Sequence, residues 1–264
     1  MALAVTSVFS ATRAQDIVAH RGASHDAPEN TLASFELAWQ QQADAIEGDF
    51  YLTADGHIVC VHDKDTARVS PLVDNMIIAK SSLQQLREVD VGSWKSPEFS
   101  DQRIPTLQEV LAIVPEGRGI LIEIKCGPEI LPELERQLSA STLKAEQVII
   151  IAFSAEVVRQ SRIRMPQYKA NWLAHYKQEI EGGPWTPSLD TVLSTLRATG
   201  ATGLGTHGKA EVVDRAFAQA IKEAGFELHV WTVNEPQDAR YWQSLGVNSI
   251  TTDRPGFIRQ QLGL

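Results

Sequence analysis

Five side chains in the first quarter of the chain are of types that do chemistry, and their spacing can gather them: His20, Arg21, Glu47, Asp49 and His62. An imidazole titrates near neutrality, so two of them in one site can take a proton from one atom and return it to another. Glu47 and Asp49 are one residue apart, which in an extended strand puts both carboxylates on the same face. Two ionised carboxylates about 4 Å apart repel by roughly 4 kcal/mol at an effective dielectric of about 20. Such a pair stays ionised beside a cation and otherwise takes up a proton. The set therefore points to acid–base chemistry next to a bound cation, or to acids that pair with a neighbouring arginine.

The local pattern predicts the elements that hold these groups. Residues 17–19 are a short apolar run stopped by Arg21-Gly22, which places His20 at a strand terminus and uses Gly22 for the turn. Residues 32–42 carry apolar side chains at helical spacing, with Asn30 or Thr31 as the cap; Asn30 reads as a cap rather than a ligand. Residues 45–50 form the next strand, with Ile46, Gly48 and Phe50 on the face opposite the acids. An Asp55-Gly56 turn sends residues 57–61 back along it and returns His62-Asp63 to the level of the acids.

Farther on, regular alternation begins. Thr106 and Glu109 form a capping box that opens a helix to about residue 114. Strands are predicted over 119–125, 148–153, 169–173, 203–206, 227–233 and 249–252. Helices are predicted over 129–140, 155–165, 189–198, 210–224, 236–245 and after Pro255, and the Gly-Gly-Pro-Trp stretch before residue 186 reads as a loop. Leaving out the 57–61 arm, eight strands alternate with helices, the signature of an α/β (β/α)8 TIM barrel. Active sites of that fold lie at the C-terminal ends of the strands.

His20-Arg21-Gly22, Pro28-Glu29-Asn30-Thr31, Glu47-x-Asp49, Thr53-x-Asp55-Gly56 and His62-Asp63, in this order and spacing, resemble the motifs of the glycerophosphodiester phosphodiesterase family. Ile122-Glu123-Ile124-Lys125 resembles the family's third acid with its lysine. The stretches 230–234 and 250–255 resemble its last two strand ends, so the likeness runs from about residue 17 to the C-terminus. It implies a phospholipase-C-like barrel that hydrolyses glycerophosphodiesters to sn-glycerol 3-phosphate and an alcohol. Glu47, Asp49 and Glu123 would then hold one divalent cation, magnesium or calcium with manganese as a further candidate, because all-oxygen ligands favour a hard ion. His20 and His62 would be the catalytic acid–base pair, Arg21 and Lys125 would bind phosphoryl oxygens, and Trp231 would pack on the glycerol carbons. The resemblance also admits a lysophospholipase D or sphingomyelinase-type enzyme on the same fold. A non-catalytic phosphodiester-binding barrel should have lost an acid or a histidine, and none is missing. The family commonly has an apolar residue between its two acids where this chain has Gly48. His25, His57, His175, His207 and His229 lack matching context and read as surface or packing residues.

The bulk numbers bound the rest. With 264 residues, 43% hydrophobic and 22% charged, the chain fits one large domain with a full core. A net charge of -9 argues against a nucleic-acid partner and gives no pull toward anionic membrane. No apolar run reaches the ~18 residues of a spanning helix, so stable membrane insertion is not expected, and nothing speaks to oligomeric state. The two cysteines, Cys60 and Cys126, read as free thiols. Residues 1–15 form an N-terminal segment, apolar and small, that resembles the remnant of an export signal without a basic start; this sets a periplasmic or secreted location ahead of a cytoplasmic one. Residues 16–264 then form the barrel domain, with an insertion at about 64–103 expected over the mouth. Its charges are balanced, which suits a small polar substrate, and Met76-Ile77-Ile78 is its expected anchor.

Overall fold

Eight parallel strands close on themselves: β1 (Asp16–His20), β2 (Ala45–Leu52), β4 (Gly119–Ile124), β5 (Val148–Ala152), β6 (Lys169–Ala174), β9 (Gly203–His207), β10 (Glu227–Trp231) and β11 (Ser249–Thr252). Strand β1 pairs with both β2 and β11, which completes the ring. The computed structural model describes residues 15–71 and 75–264, so the expected export-signal segment lies, apart from its last residue, outside the described residues.

The expected antiparallel arm is β3 (Ile58–Cys60), which pairs with the outer end of β2. Its turn is closed by the Thr53 hydroxyl, which accepts from His57 N–H at 2.9 Å, and by Gly56 at φ +82°. The helices are α1 (Leu32–Gln40), α2 (Leu83–Arg87), α3 (Leu107–Ala112), α4 (Leu131–Ala140), α5 (Ala155–Arg164), α6 (Leu189–Thr199), α7 (Arg215–Glu223), α8 (Pro236–Leu245) and α9 (Pro255–Leu262). The Thr106–Glu109 capping box is present at α3. Alternate strand residues such as Ile17, Ile46, Ile122, Ile150, Val230 and Ile250 pack outward against helix residues such as Phe35, Leu134, Val157 and Trp242. The opposite set forms a smaller core inside the ring: Val18, Ala45, Leu121, Ile151 and Leu173. One face of each strand thus holds the shell of helices, while the other is free to build a site.

Three expectations change. Helix α7 begins at Arg215 rather than residue 210, because the Asp214 carboxylate accepts from Phe217 N–H at 2.8 Å and starts the helix there. The stretch after β6 is a small hairpin, β7 (Lys177–Gln178) with β8 (Trp185–Thr186), rather than loop alone. The insertion stands beside the mouth. Val69, Ile78, Leu86, Val89 and Val91 close onto Val59 and Val61 in a core of their own, and none of its described residues lines the cavity at the barrel mouth. Ile78 is its buried anchor, Met76 packs partly, and Ile77 is left 42% exposed. Among the described residues no helix is long and apolar enough to cross a membrane.

Candidate active site

The three acids meet inside the mouth. Parallel register sets Asp49 on β2 beside Glu123 on β4, and alternation brings Glu47 to the same face. Carboxylate oxygens of the three lie within 4.8 Å of one another, with Glu47 2% exposed, Asp49 1% and Glu123 9%. Burial this deep forces each acid to find a partner or a proton. Glu47 Oε2 accepts the Arg21 N–H at 2.9 Å, and its Oε1 is buried without a partner. Burial pushes the Glu47 carboxyl well above the usual carboxylate range, and the charges of Asp49 and Glu123 push the same way. Glu123 is raised too, by burial and by Asp49, against the pull of Lys125 Nζ, which donates to it at 2.8 Å. Burial acts on Asp49 as well, but Arg21, Lys125 and the Asn30 amide outweigh it and hold that carboxyl below its ordinary value. Three buried carboxylates with one orphaned oxygen form a hard-donor set that fits a divalent cation.

Asn30 is not the cap of α1. Thr31 takes that role, its hydroxyl accepting from Ser34 N–H, and Asn30 sits at φ +57° with its amide turned onto β2. Its Nδ2 donates to Asp49 Oδ2 at 2.8 Å while its Oδ1 accepts from Asp49 N–H at 3.2 Å. One buried amide therefore pins the Asp49 carboxylate to its own backbone. The preceding turn needs Gly22, at φ +81°: a Cβ there would lie 2.3 Å from Ser34 Oγ. Gly48 leaves no void behind β2, since Cys60 Sγ and Phe35 come within 3.1 and 3.2 Å of where its Cβ would stand. Both cysteines are free.

His20 and His62 each present Nδ1 to a carboxylate, at 2.6 Å from Asp253 Oδ1 and 2.7 Å from Asp63 Oδ1. Nε2 is left as the nitrogen available to the cavity that both rings line. Asp253 is itself fixed, its Oδ1 accepting from Ser24 Oγ at 3.0 Å and its Oδ2 from Asn234 Nδ2 at 2.6 Å. Burial works against its charge, but its bonds to His20, Asn234 and Ser24 hold it at about 2. Burial, helped by Arg21 and Lys125, lowers the pKa of His62 despite the nearby charge of Asp49. Asp253, Asp63 and Asn234 gain their roles only from these contacts, and the signal for them in the sequence is that each lies within a stretch that resembles a family motif.

Arg21 and Lys125 are both engaged with acids. Arg21 Nε lies 3.2 Å from Asp49 Oδ2 and its Nη1 donates to Glu29 at 3.0 Å, while Lys125 bridges Glu123 and Asp49. Lys125 lies just past the end of β4 rather than within it. The cavity measures about 170 Å³ and is lined by these cations, both histidines, Glu47 and Glu123 together with the apolar Leu121, Ile151, Leu173, Phe153 and Trp231. Phe153 and Trp231 meet edge to face at 5.6 Å. All the residues singled out from the sequence thus converge, with Asp49 just behind the cavity wall. His229 is a buried packing residue bonded to Ser249, but it also reaches the cavity floor.

The profile of the glycerophosphoryl diester phosphodiesterase family matches residues 20–257. A glycerophosphodiester phosphodiesterase of Bacillus subtilis is 31% identical over 92% of this chain and 85% of its own length. One from Caldanaerobacter subterraneus is 30% identical over 90% of this chain and 94% of its own. Among solved structures, a phosphodiesterase of Oleispira antarctica in complex with its product sn-glycerol-3-phosphate superposes with a TM-score of 0.83 at 25% identity, covering 94% of this chain and 97% of that one.

Proposed function

The chain belongs to the glycerophosphoryl diester phosphodiesterase family and is a glycerophosphodiester phosphodiesterase; from that premise we propose that it releases sn-glycerol 3-phosphate and an alcohol, using a divalent cation held by Glu47, Asp49 and Glu123 and proton transfer by His20 and His62. The observation that carries this reading is the pair of imidazoles, each braced at Nδ1 by an aspartate and each lining one cavity with the acid cluster. The product bound to the Oleispira antarctica relative supports the choice of product.

Glu47, Asp49 and Glu123 would hold the cation, magnesium or calcium by the hardness of these donors, and when bound it would supply positive charge to the phosphoryl oxygens. The chain's own residues do the rest. One histidine removes the proton of the incoming oxygen and the other protonates the departing alcohol; the incoming oxygen is water, or the substrate's own 2-hydroxyl, in which case water then opens the cyclic phosphate to sn-glycerol 3-phosphate. The Asp253 and Asp63 carboxylates keep Nδ1 occupied, so each ring exchanges its proton at Nε2 and the imidazolium is stabilised when it forms. Arg21 and Lys125 bring positive charge to the rim where the phosphoryl group sits, while neutralising the acids behind it. Trp231 and Phe153 offer an apolar wall to the glycerol carbons and exclude water from that side.

Product analysis tests the proposal. Glycerophosphocholine and glycerophosphoethanolamine should both yield sn-glycerol 3-phosphate, and exhaustive chelation should abolish turnover until magnesium, calcium or manganese is returned. His20→Ala and His62→Ala should each lower kcat by about 10²-fold or more. Full activity after confirmed metal removal, or full activity in either histidine variant, would overturn it.

A further inference from the structure

Arg68, in the insertion, reaches back to the rim of the site and holds two acids at once. Its Nε donates to Asp63 Oδ2 at 2.6 Å, and its two Nη groups donate to the two oxygens of Glu29 at 2.7 and 2.8 Å. Each acid continues the chain. Glu29 Oε1 accepts from Arg21 Nη1 at 3.0 Å, and Asp63 Oδ1 holds His62 Nδ1 at 2.7 Å. Charge alternates along the run from Asp49 through Arg21, Glu29 and Arg68 to Asp63, and Asp63 in turn holds the His62 ring. We propose that Arg68 is a positioning residue that clamps Arg21 and His62 in register with each other, and that carrying it is the contribution of the insertion to the site. This rests on the reading of Arg21 as a phosphate-side cation and His62 as a proton carrier.

The chemistry of the side chain decides the point. A planar guanidinium presents donors in two directions and satisfies a bidentate carboxylate on one edge while Nε serves a second acid. Without it, Glu29 has Arg21 as its remaining cation and draws it away from Asp49, and Asp63 is free to rotate off His62. A lysine carries a single point charge and cannot span both acids. Arg68 is 44% exposed, so its ion pairs contribute little to stability. The consequence of losing it is therefore geometric and falls on kinetics.

The test is a set of double-mutant cycles in the full-length, cation-loaded enzyme with glycerophosphocholine as substrate. Arg68→Gln should raise KM and lower kcat, each by about tenfold, through the Arg21 and His62 branches respectively. Arg68→Lys should behave like Arg68→Gln. Glu29→Gln should act mainly on KM and Asp63→Asn mainly on kcat, and combining either with Arg68→Gln should add little to the parameter it shares. Melting temperatures should stay close to wild type. Arg68→Gln within about twofold of wild type in both parameters, full rescue by lysine, or purely additive losses that follow a fall in melting temperature would each overturn the clamp. Arg21→Ala and His62→Ala run alongside. If those are impaired and Arg68→Gln is silent, the clamp alone fails; if they are themselves unimpaired, the underlying assignment fails and takes the clamp with it.

Discussion

His20 Nδ1 and Asp253 Oδ1 stand 2.6 Å apart although 233 residues separate them in the chain. Closure of the barrel makes the contact, since β11 lies against β1 with Ala19 opposite Thr252. The aspartate is in turn clasped by Asn234 and Ser24, so it has little freedom to do anything but orient the ring.

Asp253→Asn should therefore keep the fold and lower kcat by about 10²-fold or more, because an amide can accept the ring N–H only in one orientation and no longer stabilises the imidazolium. KM should change little. Because the native carboxyl is depressed to about 2, its contribution to stability is full above the ordinary carboxylate pKa and fades as pH falls toward 2. Acid unfolding of the variant should accordingly lack that component. Unchanged kcat in the variant would remove Asp253 from the mechanism.

Cation binding should be linked to pH. Glu47 and Glu123 have raised pKa values, so their protons must leave before all three carboxylates can engage a cation. A raised acid favours the fold at low pH and withdraws that support as pH rises through its folded pKa. The cation-free protein should thus lose stability toward high pH at this site, and magnesium or calcium should raise the melting temperature more at pH 8 than at pH 5. Thermal denaturation with and without cation after confirmed metal removal measures this. Equal shifts at the two pH values would contradict the assignment.

Asn30→Ala should weaken cation affinity about 10–100-fold, the usual effect of removing an outer-shell partner. It frees the Asp49 carboxylate from its own backbone and removes one of the groups that keeps it ionised. Calorimetric titration with the metal alone reads this without reference to turnover. Wild-type affinity in a folded variant would show that Arg21 and Lys125 suffice to hold Asp49.

Water-soluble diesters should be preferred over lipid substrates. Among the described residues the large exposed apolar side chains are Ile77, Trp94, Phe153, Ile163, Ile180 and Leu264; of these only Phe153 lines the cavity, whose volume of about 170 Å³ and charged lining suit a small polar molecule. Comparing kcat/KM for glycerophosphocholine and lysophosphatidylcholine on both sides of the latter's micellar threshold should show no activation at the threshold. A lipid preference of about tenfold that rises sharply there would mark a lipid enzyme instead.

What the chain determined by itself was local. The Glu47-x-Asp49 spacing put two acids on one face of β2, the Asp55-Gly56 turn brought His62 back beside them, and helix α8 begins at Pro236 and ends before Gly246 as its residue types require. Eight alternating strand and helix patterns were enough to call the barrel. These signals depend on neighbours within a few residues, where steric preference, capping and alternation act directly. The partners that tune the site were decided elsewhere. Asp253 reaches His20 only when the last strand closes on the first, and Arg68 reaches Glu29 only when the insertion folds on its own small core. Asn30, read as a cap, turned to Asp49 because a buried carboxylate needs a donor more than α1 needs a second cap. Such pairings follow from ring closure and from satisfying buried charge, which are properties of the whole assembly and leave no periodic trace along the chain.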